Sequence, residues 1–81
     1  MPMGEIYNRK TIVVQRNDTV LEAAKLMRQY CVGDVQVVDD RNGERVSIGV
    51  ITDHDLVVEI MAAELDCMVI TVVDVIDLHA V

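Results

Sequence analysis

Eighty-one residues and 9.0 kDa make one small domain, and surface scaling buries about 63% of what the unfolded chain exposes, a thin margin for a lone core. With 52% hydrophobic residues and neither Trp nor Phe, the core must be built from Val, Ile, Leu, Ala and Met, and so much apolar surface favours burial against a partner chain. A net charge of −7 and a pI near 4.5 repel nucleic acid and anionic membrane, so any phosphate-bearing ligand has to be held by local geometry.

The β-branched stretch from Lys10 to Gln15 reads as a strand. Asp18-Thr19 opens a helix, with Thr19 and Glu22 in capping-box spacing. Its apolar positions Val20, Ala23, Ala24, Met27 and Cys31 keep helical spacing, and Gly33 breaks it. Val35 to Val38 is a nearly continuous apolar strand, the pattern of a strand covered on both faces. A polar turn follows around Asn42-Gly43, and Val46, Ile48 and Val50 return as the next strand. A second helix runs from about Asp53 to Ala63. Leu56, Ile60 and Ala63 mark one face and Val57 and Met61 another, so it is expected to be covered on more than one side. In the tail, Thr71 opens a short helical turn, and Asp74-Val75-Ile76-Asp77 echoes Glu5-Ile6-Tyr7-Asn8, as if a repeat began again.

Gly49-Val50-Ile51-Thr52-Asp53-His54-Asp55-Leu56 is the most informative stretch: an apolar strand passes into Thr-x-x-Asp at the mouth of a helix. Backbone N–H groups at such a mouth favour phosphate, and a carboxylate there suits a ribose diol. The segment resembles the signature of the CBS domain, the cystathionine-β-synthase-type regulatory module. Thr11-Ile12-Val13-Val14, Asp18 to Met27 and Val32 to Asp39 follow in that family's order and spacing, over about residues 5 to 63. The resemblance implies an α+β fold, a single β-α-β-β-α motif with a small sheet packed against two helices. Residues 1–63 would be the motif, and 64–81 a linker and the start of a second, truncated one. Such motifs come in tandem pairs, so the chain is either a piece of a longer protein or a single motif whose dimer replaces the pair. The tail from Glu64 onward is expected to be the least anchored part, its apolar residues needing a partner chain.

By the same resemblance, Thr52 would reach a phosphate or ribose and Asp55 would take the ribose hydroxyls. Thr52 and Asp55 also suit a plain helix cap, worth about 1 kcal/mol. His54 stands where relatives often carry arginine, which weakens the case for multiply charged triphosphates. The adenine would lie against Asn8, Ile12, Val32 and Gly33, with Val50 beneath it. Asn8 replaces a common threonine, and its amide can still serve the base edge. For Ile12, Val32 and Val50, core packing alone accounts for the residue type.

No metal site or catalytic constellation is expected. His54 and His79 lie far apart, neither is in zinc-ligand spacing with Cys31 or Cys67, and no nucleophile has a histidine at a recognisable offset. The two cysteines form no CxxC motif and read as small buried hydrophobes in a reducing compartment. No secretory leader or membrane-spanning run of about 18 apolar residues is evident, and a cytoplasmic location is expected. Two functions remain. The first is a regulatory module, not an enzyme and without a cofactor, sensing AMP, ADP, ATP or S-adenosylmethionine as a homodimer or higher even oligomer. The second is a ligand-free association module whose apolar helices merely dimerise.

Overall fold

The computed structural model describes residues 12–79. Three strands, β1 (Val13–Gln15), β2 (Asp34–Arg41) and β3 (Glu44–Thr52), form one sheet in the order β1-β2-β3. β1 runs parallel to β2, with Val14 opposite Val37. Helix α1 (Val20–Tyr30) makes the crossover between them. β2 and β3 form a hairpin whose two connecting residues, Asn42 and Gly43, have φ of 52° and 81°. That is the doubly left-handed turn matching strand twist, and Asn-Gly is its preferred pair. The sheet and helices form the α+β arrangement expected of one motif.

The core is aliphatic, as the composition requires. Val14, Val20, Ala23, Met27, Val35, Val37, Ile51 and Ile60 are buried in one cluster under the sheet. Fully burying one such side chain contributes about 1.5–3 kcal/mol. α1 presents Val20, Ala23 and Met27 to it and is N-capped by Thr19, whose hydroxyl accepts from Glu22 N.

Four details depart from the sequence expectation. α1 is ended by Cys31 rather than Gly33: Cys31 takes the left-handed conformation (φ 54°), and Val32 N closes on the Met27 carbonyl. One residue beyond an exposed last turn, Cys31 is itself exposed and not a buried hydrophobe, whereas Cys67 is half-buried against the core.

β3 carries a bulge, because Val37 pairs with Gly49 while Val38 pairs with Ser47. The extra residue, Ile48, reverses the alternation, so Ile51 enters the core and Val50 is 47% exposed. Gly49 then lies under the tail helix, where a Cβ would stand 2.7 Å from Ile76 Cδ1.

The helix after β3 is α-helical only at α2 (Asp53–Asp55) and continues as a π-helix (Leu56–Met61). The π-helix buries Ile60 and leaves Val57, Val58 and Met61 exposed, so the described residues cover one side of it and not two. Ala63, assigned from the sequence to the Leu56–Ile60 face, is exposed beyond its end.

The fourth departure is the tail. It forms helix α3 (Val72–His79), and Val72 and Val75 are completely buried in the same core. The N-terminal amides of α1 and α3 are satisfied crosswise. Val20 N and Leu21 N donate to the carbonyls of Ile70 and Cys67, and Val72 N and Val73 N donate to those of Asp18 and Arg16. Val72 and Val75 therefore need no partner chain to be buried.

Candidate functional site

The Thr-x-x-Asp segment begins where β3 ends. Thr52, with extended backbone, is the N-cap of α2. Its hydroxyl accepts from Asp55 N at 3.1 Å while Asp55 Oδ2 accepts from Thr52 N at 3.0 Å, a reciprocal capping box. Both residues are half-buried. The capping role is thus realised, and the Thr52 hydroxyl, an acceptor in this bond, still has a proton to donate.

Antiparallel pairing sets Asp34 opposite Thr52, and the Gly33 carbonyl accepts from Asp53 N at 2.9 Å. Gly33 is therefore fixed beside the helix mouth. The chain is tight there: a Cβ on Gly33 would lie 3.4 Å from Asp53 Oδ2. At the same end of the sheet the Ile12 carbonyl accepts from Gln36 N at 2.8 Å. Ile12 and Val32 are half-buried against the core cluster. The register sets Val13, Gln36 and Val50 in one row across the three strands, on the face opposite Val14, Val37 and Ile51.

Ile12, Gly33, Val50, Thr52 and Asp55 are thus brought to one end of the sheet, with Val32 just before Gly33. His54 is exposed on the first helical turn. Asn8 lies outside the described residues. Core packing accounts for Ile12 and Val32 but not for Val50, which the bulge turns away from the core.

Sequence reasoning passed over two residues. Asp53 closes on Gly33 and accepts from its neighbour's amide, His54 N, at 2.8 Å. Its acidic type just after an N-cap was the available signal. Gln36 is half-buried at the centre of the non-core row, and a lone amide inside an apolar strand was its signal.

The charges at the opposite, hairpin end behave differently. Asp39 is held below the ordinary carboxylate range by its hydrogen bond from Arg41 and by Arg16, against an opposing contribution from burial. That cluster braces β2 and stands apart from the helix mouth. Among the described residues no group of three or more His, Cys, Asp and Glu is placed to hold a metal ion, and no helix is long and apolar enough to cross a membrane.

The sequence profile of the CBS domain matches residues 3–62. An uncharacterized 17.7 kDa protein of Acidianus ambivalens is 40% identical over 55 residues, covering 68% of this chain and 32% of the relative. The chain thus spans about a third of that relative's length. Among solved structures it is similar to Hypoxic Response Protein I, described with two coordinated zinc ions, at a TM-score of 0.69 and 28% identity, over 83% of this chain and 52% of that one. It is also similar to a cystathionine beta-synthase domain protein fused to a Zn-ribbon-like domain, at a TM-score of 0.66 and 29% identity, over 82% and 89% of the two chains.

Proposed function

Since the chain belongs to the CBS domain family, whose members are regulatory modules that commonly bind adenosine ligands, we propose that it is such a module, sensing an adenosine-containing ligand without catalysing a reaction. The ligands considered are AMP, ADP, ATP and S-adenosylmethionine. The observation that carries this reading is the convergence of Gly33, Thr52, Asp55 and the outward-turned Val50 at one end of the sheet. In this arrangement Val50 offers an apolar surface to the base, Asp55 takes the ribose hydroxyls, and Thr52 and His54 lie toward the 5′ side. The proposed roles of Ile12, Val32 and Asn8 along the base edge rest on the family resemblance.

The proposed active form is a homodimer or higher even oligomer in the cytoplasm. Supporting it are the exposed side chains Val57 (52%), Met61 (72%), Met68 (66%) and Val69 (67%), apolar groups that a partner chain would cover. A second reading, a ligand-free association module, draws on the capping box, because Thr52 and Asp55 already have a structural use.

Thermal unfolding with and without millimolar adenosine ligands separates the two. A ligand at 100 times its Kd stabilises the fold by about 2.7 kcal/mol, a shift of about 10–20 °C for a domain of this size. No shift with any ligand favours the association module.

A further inference from the structure

The tip of the β2–β3 hairpin carries a reactive pair of residues. Asn42 and Gly43 connect the strands as a two-residue turn, both are exposed, and both have positive φ, 52° and 81°. A Cβ on Gly43 would meet nothing within 4 Å, so the space beside the turn is open. The last ladder pair is Arg41 with Glu44, which leaves the Gly43 N–H outside the ladder. Asparagine is a thermolabile residue, and here its side-chain amide is followed directly by a backbone nitrogen that no Cβ hinders.

Asn17 supplies the contrast within the same chain. It is exposed too, but the residue after it is Asp18, whose N–H donates to the Gln15 carbonyl at 2.9 Å and whose side chain crowds that nitrogen. Exposure therefore does not separate Asn42 from Asn17. The following residue and its hydrogen bond do.

We propose that Asn42 is a modification site, converted spontaneously by water to aspartate and isoaspartate at a pace set by opening of the hairpin tip. The Gly43 amide gives its proton to solvent base, and its nitrogen bonds to Asn42 Cγ. The bond from Cγ to Nδ2 breaks, and the side-chain nitrogen takes up a proton and leaves as ammonia, giving a cyclic succinimide. One water then opens the ring. Cleavage between Gly43 N and Asn42 Cγ yields aspartate; cleavage between Gly43 N and the Asn42 backbone carbonyl carbon yields isoaspartate. Nothing is oxidised or reduced. Ring closure takes Asn42 out of its turn conformation, so the Arg41–Glu44 pair has to open first, a local event of low cost at an exposed hairpin end. Aspartate keeps the turn, because Asp-Gly suits it as Asn-Gly does. Isoaspartate adds a methylene to the backbone, which so short a connection cannot absorb without disturbing the strand register.

The test is incubation of the full chain in mildly alkaline buffer at physiological temperature, followed by peptide mapping with mass spectrometry, beside a free peptide of residues 38–47. The expected result is that Asn42 converts to both products while Asn17 stays intact, and that the free peptide converts faster than the folded chain. Gly43→Ala, which hinders the attacking nitrogen, should slow conversion in the peptide, a comparison that holds whether or not the variant chain folds. Separated by ion exchange, the aspartate form should melt near the parent and the isoaspartate form below it. Asn17 converting as fast as Asn42, an intact Asn42 in the folded chain while the peptide converts, or an unchanged rate in the Gly43→Ala peptide overturns the site. Equal rates in folded chain and peptide overturn the pacing by tip opening.

Discussion

Three helices in this chain open on the same pattern, a threonine followed three residues later by an acid: Thr19 and Glu22, Thr52 and Asp55, Thr71 and Asp74. At α1 and α3 the openings face each other, and their amides are taken up by carbonyls across the junction. At α2 the opening is served by its own side chains and the Gly33 carbonyl at one end of the sheet, with Asp53 and His54 exposed. One local pattern therefore forms a structural joint in one region and leaves functional groups at the surface in another. The motif supplies the chemistry of a site; its place in the fold decides whether a ligand can reach it.

The largest expected effect breaks the joint. Val75→Asp puts a charge where the side chain is wholly buried, and an uncompensated buried charge costs on the order of 3–5 kcal/mol, enough to unfold a small domain. Circular dichroism and thermal melts should show an unfolded or barely folded protein. A stable, native-like variant would mean that the tail does not belong to this core.

A second contrast lies within the π-helix. Ile60→Asp should unfold the chain, because Ile60 is buried. Met61→Asp, on a side chain 72% exposed, should keep the fold and weaken self-association. Sedimentation velocity at micromolar concentration checks both. An unchanged oligomeric state in Met61→Asp removes this face from the proposed interface.

Much of this was legible in the sequence because it depends on local chemistry. The Asn42-Gly43 hairpin, the Thr19 cap and the Val20, Ala23 and Met27 face all follow from neighbours within a few residues. What was not legible depends on distant partners. Val46, Ile48 and Val50 alternate as cleanly as any strand, yet the bulge at Ile48 is settled by pairing with Val37 and Val38 and by the approach of Ile76 to Gly49. The tail could be read as helical, but its anchoring depends on carbonyls of residues 16 and 18, far away in sequence. In the π-helix, six residues make less than two turns, too few for spacing to separate an α from a π period. At the site, Gly33, Thr52 and Asp55 were visible through their resemblance to a family signature. The position of Asp53 against Gly33 became visible only once β2 and β3 were paired.

A smaller effect is expected where the π-helix ends. Glu64 has φ of 58°, a left-handed conformation that costs a side chain about 1–2 kcal/mol and glycine almost nothing. Glu64→Gly should raise Tm by a few degrees, less whatever glycine adds to unfolded-state entropy. A lower Tm would place the strain elsewhere.

The smallest effect is at the hairpin end. The folded-state pKa of Asp39 is depressed, so its contribution to stability is full above the ordinary carboxylate range and is lost as pH falls below it. Asp39→Asn should lower Tm slightly at neutral pH and leave it nearly unchanged in acid, so that the acid limb of a Tm-against-pH curve is flattened. An equal loss at all pH values would point to packing rather than charge.

The central claim, that the open Thr52–Asp55 helix mouth holds an adenosine ligand, is tested most directly by calorimetric titration of adenosine and S-adenosylmethionine into the parent chain and Asp55→Ala. The parent should bind. Asp55→Ala should lose at least about tenfold in affinity, because charge-assisted hydrogen bonds to a ribose diol contribute about 1.5–3 kcal/mol each. Its fold should survive with only a capping loss of about 0.5–2 kcal/mol. Equal affinity in the two proteins, or no binding by the parent at millimolar ligand, would contradict the account.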